Sequence, residues 1–486
     1  MSPQTSPSPD GYTPDPRRWR ILAVLMVALF MSLIDVSIVN VALPSIQLGL
    51  DASQSELQWV LSGYALAFGV GLVAAGRAGD IYGRGALFII GVAIFTASSI
   101  ACGMAQDAMM LNIARAFQGI GSGLLNPQAV GMIQQHFRGA ERGRAFGFFG
   151  AAVGISVAIG PVLGGLLIRV FGMENGWRWV FFVNLPVGIA AIVLAARWFT
   201  KPLIDKRAAD GEQAPSVIRD LDPIGAVLLG LAVLALLLPF VEAEAAAWTW
   251  ASLPVGLALV AVWLWWERRQ KRLNRKPMVD LDIFRVASFA NGALLVSLYF
   301  VGITSVWVLL ALYMQDGLGH TALAAGMIGL PSAVLSGVAA LWGGRHVDRY
   351  GRRLVIGGLY VALLGLASSI LVVWLRSMGM ASEWWLLVTL SFIGIAQGMV
   401  ISPNQTLTLA DVPLTYAGSS GGIMQTGQRI GTSVGIAVIT ALAFRVLASS
   451  GWSWAFIAGF AAIMVVVVGT LFVAYRDLRL RRQHAS

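Results

Sequence analysis

The chain has 486 residues, 57% of them hydrophobic and only 12% charged, with a mean hydropathy of +0.75 and a formal net charge of +10. Soluble domains carry about 25% charged residues, roughly twice this share, so the polar side chains are too few to coat a soluble globule. A soluble enzyme, a disordered chain and a collagen-like chain are excluded, and an all-α polytopic membrane protein is expected. The single cysteine, Cys102, forbids an internal disulfide, and His136, His320, His346 and His484 are too scattered to gather a metal, so no metal and no cofactor are expected.

Residues 1–20 are rich in Pro and Ser and close on Arg17, Arg18 and Arg20, which reads as a cytoplasmic tail. The apolar run over 21–43 is longer than the core of a signal peptide and reads as a retained first span. Further runs follow near 57–75, 86–104, 109–135, 143–168, 179–197, 223–241, 250–266, 289–314, 323–343, 354–375, 384–410, 418–444 and 451–474, fourteen in all. Each is near the roughly 20 residues that a bilayer crossing needs. With the N-terminus inside, 28 of the 34 Lys and Arg residues fall in inner segments, while Arg169, Arg178, Arg376 and Arg445 fall outside and Arg115 and Arg429 lie within spans. That asymmetry predicts fourteen crossings of the inner or plasma membrane with both termini cytoplasmic. Basic loops facing anionic lipid account for the positive charge, and no nucleic-acid partner is expected.

The chain repeats itself. Gly76-Arg77-Ala78-Gly79-Asp80-Ile81-Tyr82-Gly83-Arg84, between spans two and three, agrees at six of nine positions with Gly344-Arg345-His346-Val347-Asp348-Arg349-Tyr350-Gly351-Arg352, between spans ten and eleven. Gln118-Gly119 before Asn126-Pro127-Gln128 in span four is echoed by Gln397-Gly398 before Pro403-Asn404-Gln405 in span twelve. Gly143, Gly147, Gly150 and Gly154 stripe one face of span five, as Gly427, Gly431 and Gly435 stripe span thirteen. The expected organisation is two pseudo-symmetric six-helix bundles, 21–199 and 289–475, with a two-helix insert at 223–266, linkers at 200–222 and 267–288, and a tail at 476–486. Parallel repeats of this kind imply a transporter with its site near mid-membrane between the halves.

The duplicated loop resembles the cytoplasmic signature of the major facilitator superfamily. Leu33-Ile34-Asp35-Val36-Ser37-Ile38-Val39-Asn40-Val41-Ala42-Leu43-Pro44 is similar to the first-helix motif of its fourteen-helix drug:proton antiporter branch, and Trp177-Arg178-Trp179-Val180-Phe181-Phe182-Val183-Asn184-Leu185-Pro186 to another hallmark of that branch. Arg115-Ala116-Phe117-Gln118-Gly119 resembles the fourth-helix motif that the family links to proton coupling. The stretch from Gly154 through Gly160, Pro161, Gly164 and Gly165 resembles the antiporter motif of the fifth helix. The resemblance implies a gating role for Gly76, Arg77, Asp80, Gly83 and Arg84 and for Arg345, Asp348, Gly351, Arg352 and Arg353, with Asp80 and Asp348 facing helix ends or pairing with Arg84 and Arg352. Ile81 and Gly85 stand where the pattern often has basic residues, whereas the second copy has Arg349 and Arg353, so the gate is expected to lean on the second half.

Asp35 is the acidic residue deepest in a span, and an ionisable group there is by default a functional hypothesis. At about 1.5 Å per residue it lies about 13 Å from the outer end of span one, and Arg115 about 9 Å from that of span four, so the two can pair as a proton-coupling unit or as a structural ion pair. Arg429, near mid-membrane without an acidic partner at its depth, leaves an embedded charge of about +1 when Asp35 is ionised, which disfavours dications. Aromatic, sulfur and amide side chains suit variable apolar ligands, and the substrate candidates are Met31, Trp59, Tyr64, Gln118, Asn126, Tyr299, Trp307, Asn404 and Gln405, with Arg429. The function expected is a monomeric, proton-driven exporter of lipophilic small molecules that works by alternating access. The alternatives are a dedicated exporter of one endogenous metabolite, antibiotic or lipid, and a non-transporting receptor. No catalytic residues are expected, because no second acid, nucleophile or GxxxxGK[ST] motif accompanies Asp35.

Overall fold

The computed structural model describes residues 14–203, 221–241 and 247–483, and every regular element among them is helical. The ends of both expected tails and most of the first expected linker lie outside the described residues. Helix α1 (Arg18–Leu50) stops where Asp51 turns left-handed, at φ 49°. Helix α2 (Gln54–Tyr82) opens with a capping box: Ser53 and Glu56 satisfy each other's backbone amides. Gly83, at φ 106°, makes the sharp turn into α3 (Arg84–Gly103), a conformation that a side chain would strain. Asp107 caps α4 (Ala108–His136), and α5 (Gly139–Phe171) bends by about 40° between Ser156 and Ile159.

Expected span six runs from Gly176 to Trp198 as α6 (Gly176–Phe182) and α7 (Asn184–Trp198), joined through Val183, whose φ of −61° and ψ of −24° stay helical. Helices α8 (Pro223–Val241) and α9 (Ser252–Arg272) follow, then α10 (Ala287–Leu312), α11 (Ala322–Tyr350), α12 (Arg352–Ser377) and α13 (Leu386–Thr408). The run α14 (Ala417–Gln483) holds expected spans thirteen and fourteen as two helical arms that meet at a kink at Gly451, φ 81° and ψ 174°. Eleven helical stretches among the described residues are long and apolar enough to cross a bilayer, α14 counting once, and the bent α5 makes a twelfth. Helix α4 is long enough, but Arg115, Gln118, Asn126 and Gln128 reduce its hydropathy.

Helix α10 packs along α14, α11 along α13 and α5, and α2 along α4 and α14. Helix α8 lies against α2, α14 and α9, whose apolar stretch is the least buried of all. Side chains such as Phe472, Val465 and Leu257 face outward, as a lipid solvent permits. Glycine decides the closest approaches. A Cβ on Gly143 would collide with the Gly344 carbonyl, and one on Gly344 with that of Gly143, so α5 and α11 touch backbone to backbone. Gly150 continues this face against Ser402 and Gly154 against Ala333, whereas beyond the bend Gly160 and Gly164 press on Ser37 and Ile38 of α1. Helix α14 divides its glycines in the same way: Gly418 and Gly422 meet α2, and Gly431 and Gly435 meet α10.

Candidate functional site

Asp35 is fully buried on α1. Arg115 Nη1 donates to its Oδ2 at 2.6 Å, and Gln118 Nε2 and Asn184 Nδ2 donate to its Oδ1 at 2.9 and 3.0 Å. Arg115 is itself held: Nε donates to the Val60 carbonyl at 2.9 Å, Nη1 to Gln118 Oε1 at 2.7 Å, and its guanidinium lies 4.3 Å over the Tyr64 ring. The Ser99 hydroxyl accepts from both amides, at 2.7 Å from Gln118 and 3.3 Å from Asn184. Cys102 is buried beside this network, its Sγ 3.7 Å from Gln118 Oε1. Each charge is thus neutralised and hydrogen-bonded in a buried setting, with every oxygen of Asp35 accepting from at least one donor.

A second set of contacts closes the end of the molecule that carries the Arg-rich turns. Asp80 accepts from the Gly418 amide at 2.8 Å, the Ser419 amide at 2.9 Å and the Ser419 hydroxyl at 2.7 Å, all at the start of α14. A carboxylate there meets the positive end of the helix dipole and its unpaired N–H groups. Arg84 pairs with Asp80 at 2.8 Å and donates to the Leu414 carbonyl at 2.7 Å, while Gln134 donates to Ala417 at 3.2 Å. Gly76 is packed against Gly418 without room for a Cβ. Arg77 sits beside this clamp, its buried Nε without a hydrogen-bond partner among the described residues.

The second copy of the loop makes different contacts. Arg345, Asp348, Arg349 and Arg353 are exposed, and Gly351 turns the chain at φ 52°. Arg352 pairs not with Asp348 but with Asp477, at 2.6 Å, and also donates to Asn404. Asn291 and Arg481 complete the shell of Asp477 at 3.1 and 2.9 Å. In the first copy the acidic residue reaches across the molecule; in the second the basic residue turns inward to the end of α14.

These networks redistribute the substrate candidates. Gln118 belongs to Asp35, and Asn404 to Arg352 and the Gly292 carbonyl. Tyr64 bonds Ser122 at 2.7 Å, and Asn126 donates back to the Ser122 carbonyl. Met31 is buried, as are Tyr299 and Gln405, whose Oη and Oε1 have no partner among the described residues. Trp307 is half-buried against Gly329, and Trp59 is exposed. Arg429 stands 4.3 Å over the Phe68 ring, without an ion-pair partner among the described residues. In the antiporter motif Gly154, Gly160 and Gly164 make close contacts around Pro161, whereas Gly165 faces open space. No group of three His, Cys, Asp or Glu among the described residues could hold a metal.

Ser99, Asn184, Ser419, Asn291, Asp477 and Arg481 were absent from the expected site. Asn184 and Ser419 stand in or near recognisable motifs, but their partners lie too far along the chain for spacing to reveal them.

A membrane-embedded helical fold with a buried ion pair and a bonded inter-half clamp defines a secondary transporter. A family model described as Major Facilitator Superfamily matches residues 25–436, and the chain belongs to that family. It is 34% identical over 457 residues to a probable actinorhodin transporter of Streptomyces coelicolor, covering 92% of this chain and 77% of the relative. It is 32% identical to the tetracenomycin C resistance and export protein of Streptomyces glaucescens (91% and 80% covered) and to the multidrug resistance protein Stp of Mycobacterium tuberculosis (85% and 73% covered). Among solved structures, the human organic anion transporter MFSD10 superposes with a TM-score of 0.65 at 15% identity, covering 95% of this chain and 100% of the other, a likeness of fold.

Proposed function

We propose that this chain is a monomeric, proton-coupled antiporter that exports lipophilic drug-like compounds across the plasma membrane. In this reading it crosses fourteen times with both termini cytoplasmic, as six-helix bundles over 21–199 and 289–475 flanking the insert at 223–266. The Arg-rich end is then cytoplasmic, and the arrangement described is the state closed to the cytoplasm, with the clamp around Asp80 as its latch. Protonation of Asp35 from outside displaces Arg115 and accompanies release of substrate; loss of that proton towards the cytoplasm restores the pair and permits reloading. A gradient drives such a cycle because the two states bind the proton with different affinity.

The observation that carries this reading is the Asp35–Arg115 pair, a buried intramembrane charge pair, and its opening and reclosing is the motion the reading requires. The relatives named for antibiotic export and multidrug resistance support the substrate class. Arg429, with no counter-charge among the described residues, favours neutral, zwitterionic, acidic or singly charged compounds over dications. The test is proton release from liposomes under an imposed pH gradient, on adding lipophilic mono- and dications, neutral drugs and anions. Several unrelated compounds should evoke release, and Asp35→Asn should abolish it; release undiminished in that variant would remove Asp35 as the coupling group. A second reading, export of one endogenous product, is favoured by relatives named for single compounds, and a response to one chemical class would select it.

A further inference from the structure

Two carboxylates that fall in the expected linkers meet where α8 and α9 rest on the body of the protein. Asp222, 6% exposed, caps α8: its Oδ1 accepts from the Gly225 amide at 3.1 Å, and the Trp266 indole N–H reaches both of its oxygens, at 3.1 and 3.0 Å. Glu267, 1% exposed, is less well served: its Oε2 accepts one long bond from the Val279 amide at 3.4 Å, the Met278 amide and the Trp263 indole lie near it, and its Oε1 has no hydrogen bond of good geometry among the described residues. A Cβ at Gly225 would lie 2.6 Å from Asp222 Oδ2 and 3.0 Å from Glu267 Oε1, so the two oxygens crowd the same glycine.

Among the described residues neither carboxylate has an ion-pair partner. On α9, Lys271 is committed to Asp280 and Asp282, and Arg269 lies 5.7 Å from the Trp266 ring; Trp263 offers an indole N–H without a hydrogen bond of good geometry among the described residues. The strap over 278–282 brings Met278 and Val279, α2 brings Val73, and α14 brings Ile423, all apolar. The helix N-terminus and the indole bonds favour charge on Asp222, whereas on Glu267 burial and the neighbouring Asp222 oppose it more than the Val279 and Met278 amides and the Trp263 indole favour it. Two bare charges in such a pocket would repel each other without water to screen them.

We propose that Asp222 and Glu267 form a proton-binding carboxyl pair, with the proton on Glu267 and the charge on Asp222, that fastens the two-helix insert to the closed end of the transporter. The route is short. Next to Val279, Asp280 accepts from Lys271 at 2.6 Å and from the Tyr416 hydroxyl at 3.2 Å, and Tyr416 precedes the Gly418 and Ser419 amides that hold Asp80. Burial opposes the ionisation of Asp280, but the bonds from Lys271 and the Asp282 amide hold its carboxyl below its ordinary value, so this tie is charged at neutral pH. Loss of the proton from Glu267 sets a second negative charge beside Asp222 and strengthens the pull of Glu267 on the Val279 amide, which shifts the strap against Val73 and Ile423. Proton activity on the Arg-rich side thereby biases the closed end.

Infrared pH-difference spectra of the full-length protein in liposomes test this without requiring transport, so their failure is separate from that of the exporter reading. A protonated-carboxyl band is expected at neutral pH, lost as the pH is raised further, absent from Glu267→Gln and present in Asp35→Asn. In Asp222→Asn, with the neighbouring charge removed, the band should titrate at lower pH. A Glu267→Gln spectrum identical to wild type would overturn the proposal, as would a band erased at constant pH by adding sodium or potassium, which would mark a cation site. Antiport by Glu267→Gln should lose its pH dependence on the alkaline side, and a profile superimposable on wild type would overturn the link to the closed end.

Discussion

Asp35 is held by side chains from two other helices, and its environment separates the energetics of Arg115 from those of the amides. Arg115→Ala leaves a buried carboxylate without its cation, a loss of roughly 3–5 kcal/mol, and adding Asp35→Asn should recover part of it. Thermal melting in detergent checks this; a double variant no more stable than Arg115→Ala would show that the pair does not store that energy. Asn184→Ala removes one donor to a charged acceptor and should cost roughly 1–3 kcal/mol, with slower substrate-evoked proton release. Arg429→Gln should weaken extrusion of acidic compounds relative to monocations by roughly tenfold, about 1.4 kcal/mol, in a competition assay across liposomes. The depth of Asp35 and Arg115 was legible in the sequence because helical rise converts residue number into height. The amides were not: Gln118 and Asn404 have the chemistry of ligand-binding groups, and only the fold reveals that buried ion pairs already employ them.

At the scale of the helix, glycine spacing revealed a smooth face on α5 but not which neighbour it meets, nor that the face changes neighbour at the bend. Before the bend the stripe packs on α11 and α13, and beyond it on α1. Gly344→Ala should therefore push α5 and α11 apart at the Arg-rich end, at the 1–3 kcal/mol typical of overpacking, and transport should fall while helicity is unchanged. Gly326→Ala on the same helix, where a Cβ meets nothing within 4 Å, should be silent. Distances between spin labels on the two helices, with far-ultraviolet circular dichroism, distinguish displacement from unfolding. Apolar runs located the helices well because a crossing tolerates few charges. They kept 179–197 together, where the helical path runs on through Val183, and separated 418–444 from 451–474, where the backbone leaves helical geometry at Gly451.

For the molecule as a whole, the internal repeat announced two related halves, yet the halves use their shared loop unequally. Asp80 spans the interface, whereas Asp348 is exposed and Arg352 serves Asp477, 125 residues further on. A repeat in sequence predicts matching backbones; which carboxylate meets the end of a facing helix depends on how the halves are docked. Asp80→Asn should destabilise the closed end by about 1.5–3 kcal/mol, the value of a bond to a charged group, and shift the population towards opening at that end. Asp348→Asn should leave it unchanged. Distances between labels on α2 and the first arm of α14 report both outcomes, and equal effects of the two variants would contradict the asymmetry. Cys102, the chain's one thiol, is walled in beside Gln118. A cysteine introduced at any surface position would therefore be the sole sulfur open to maleimide or spin-label reagents, so the native sequence already serves as the unreactive background for watching these halves move.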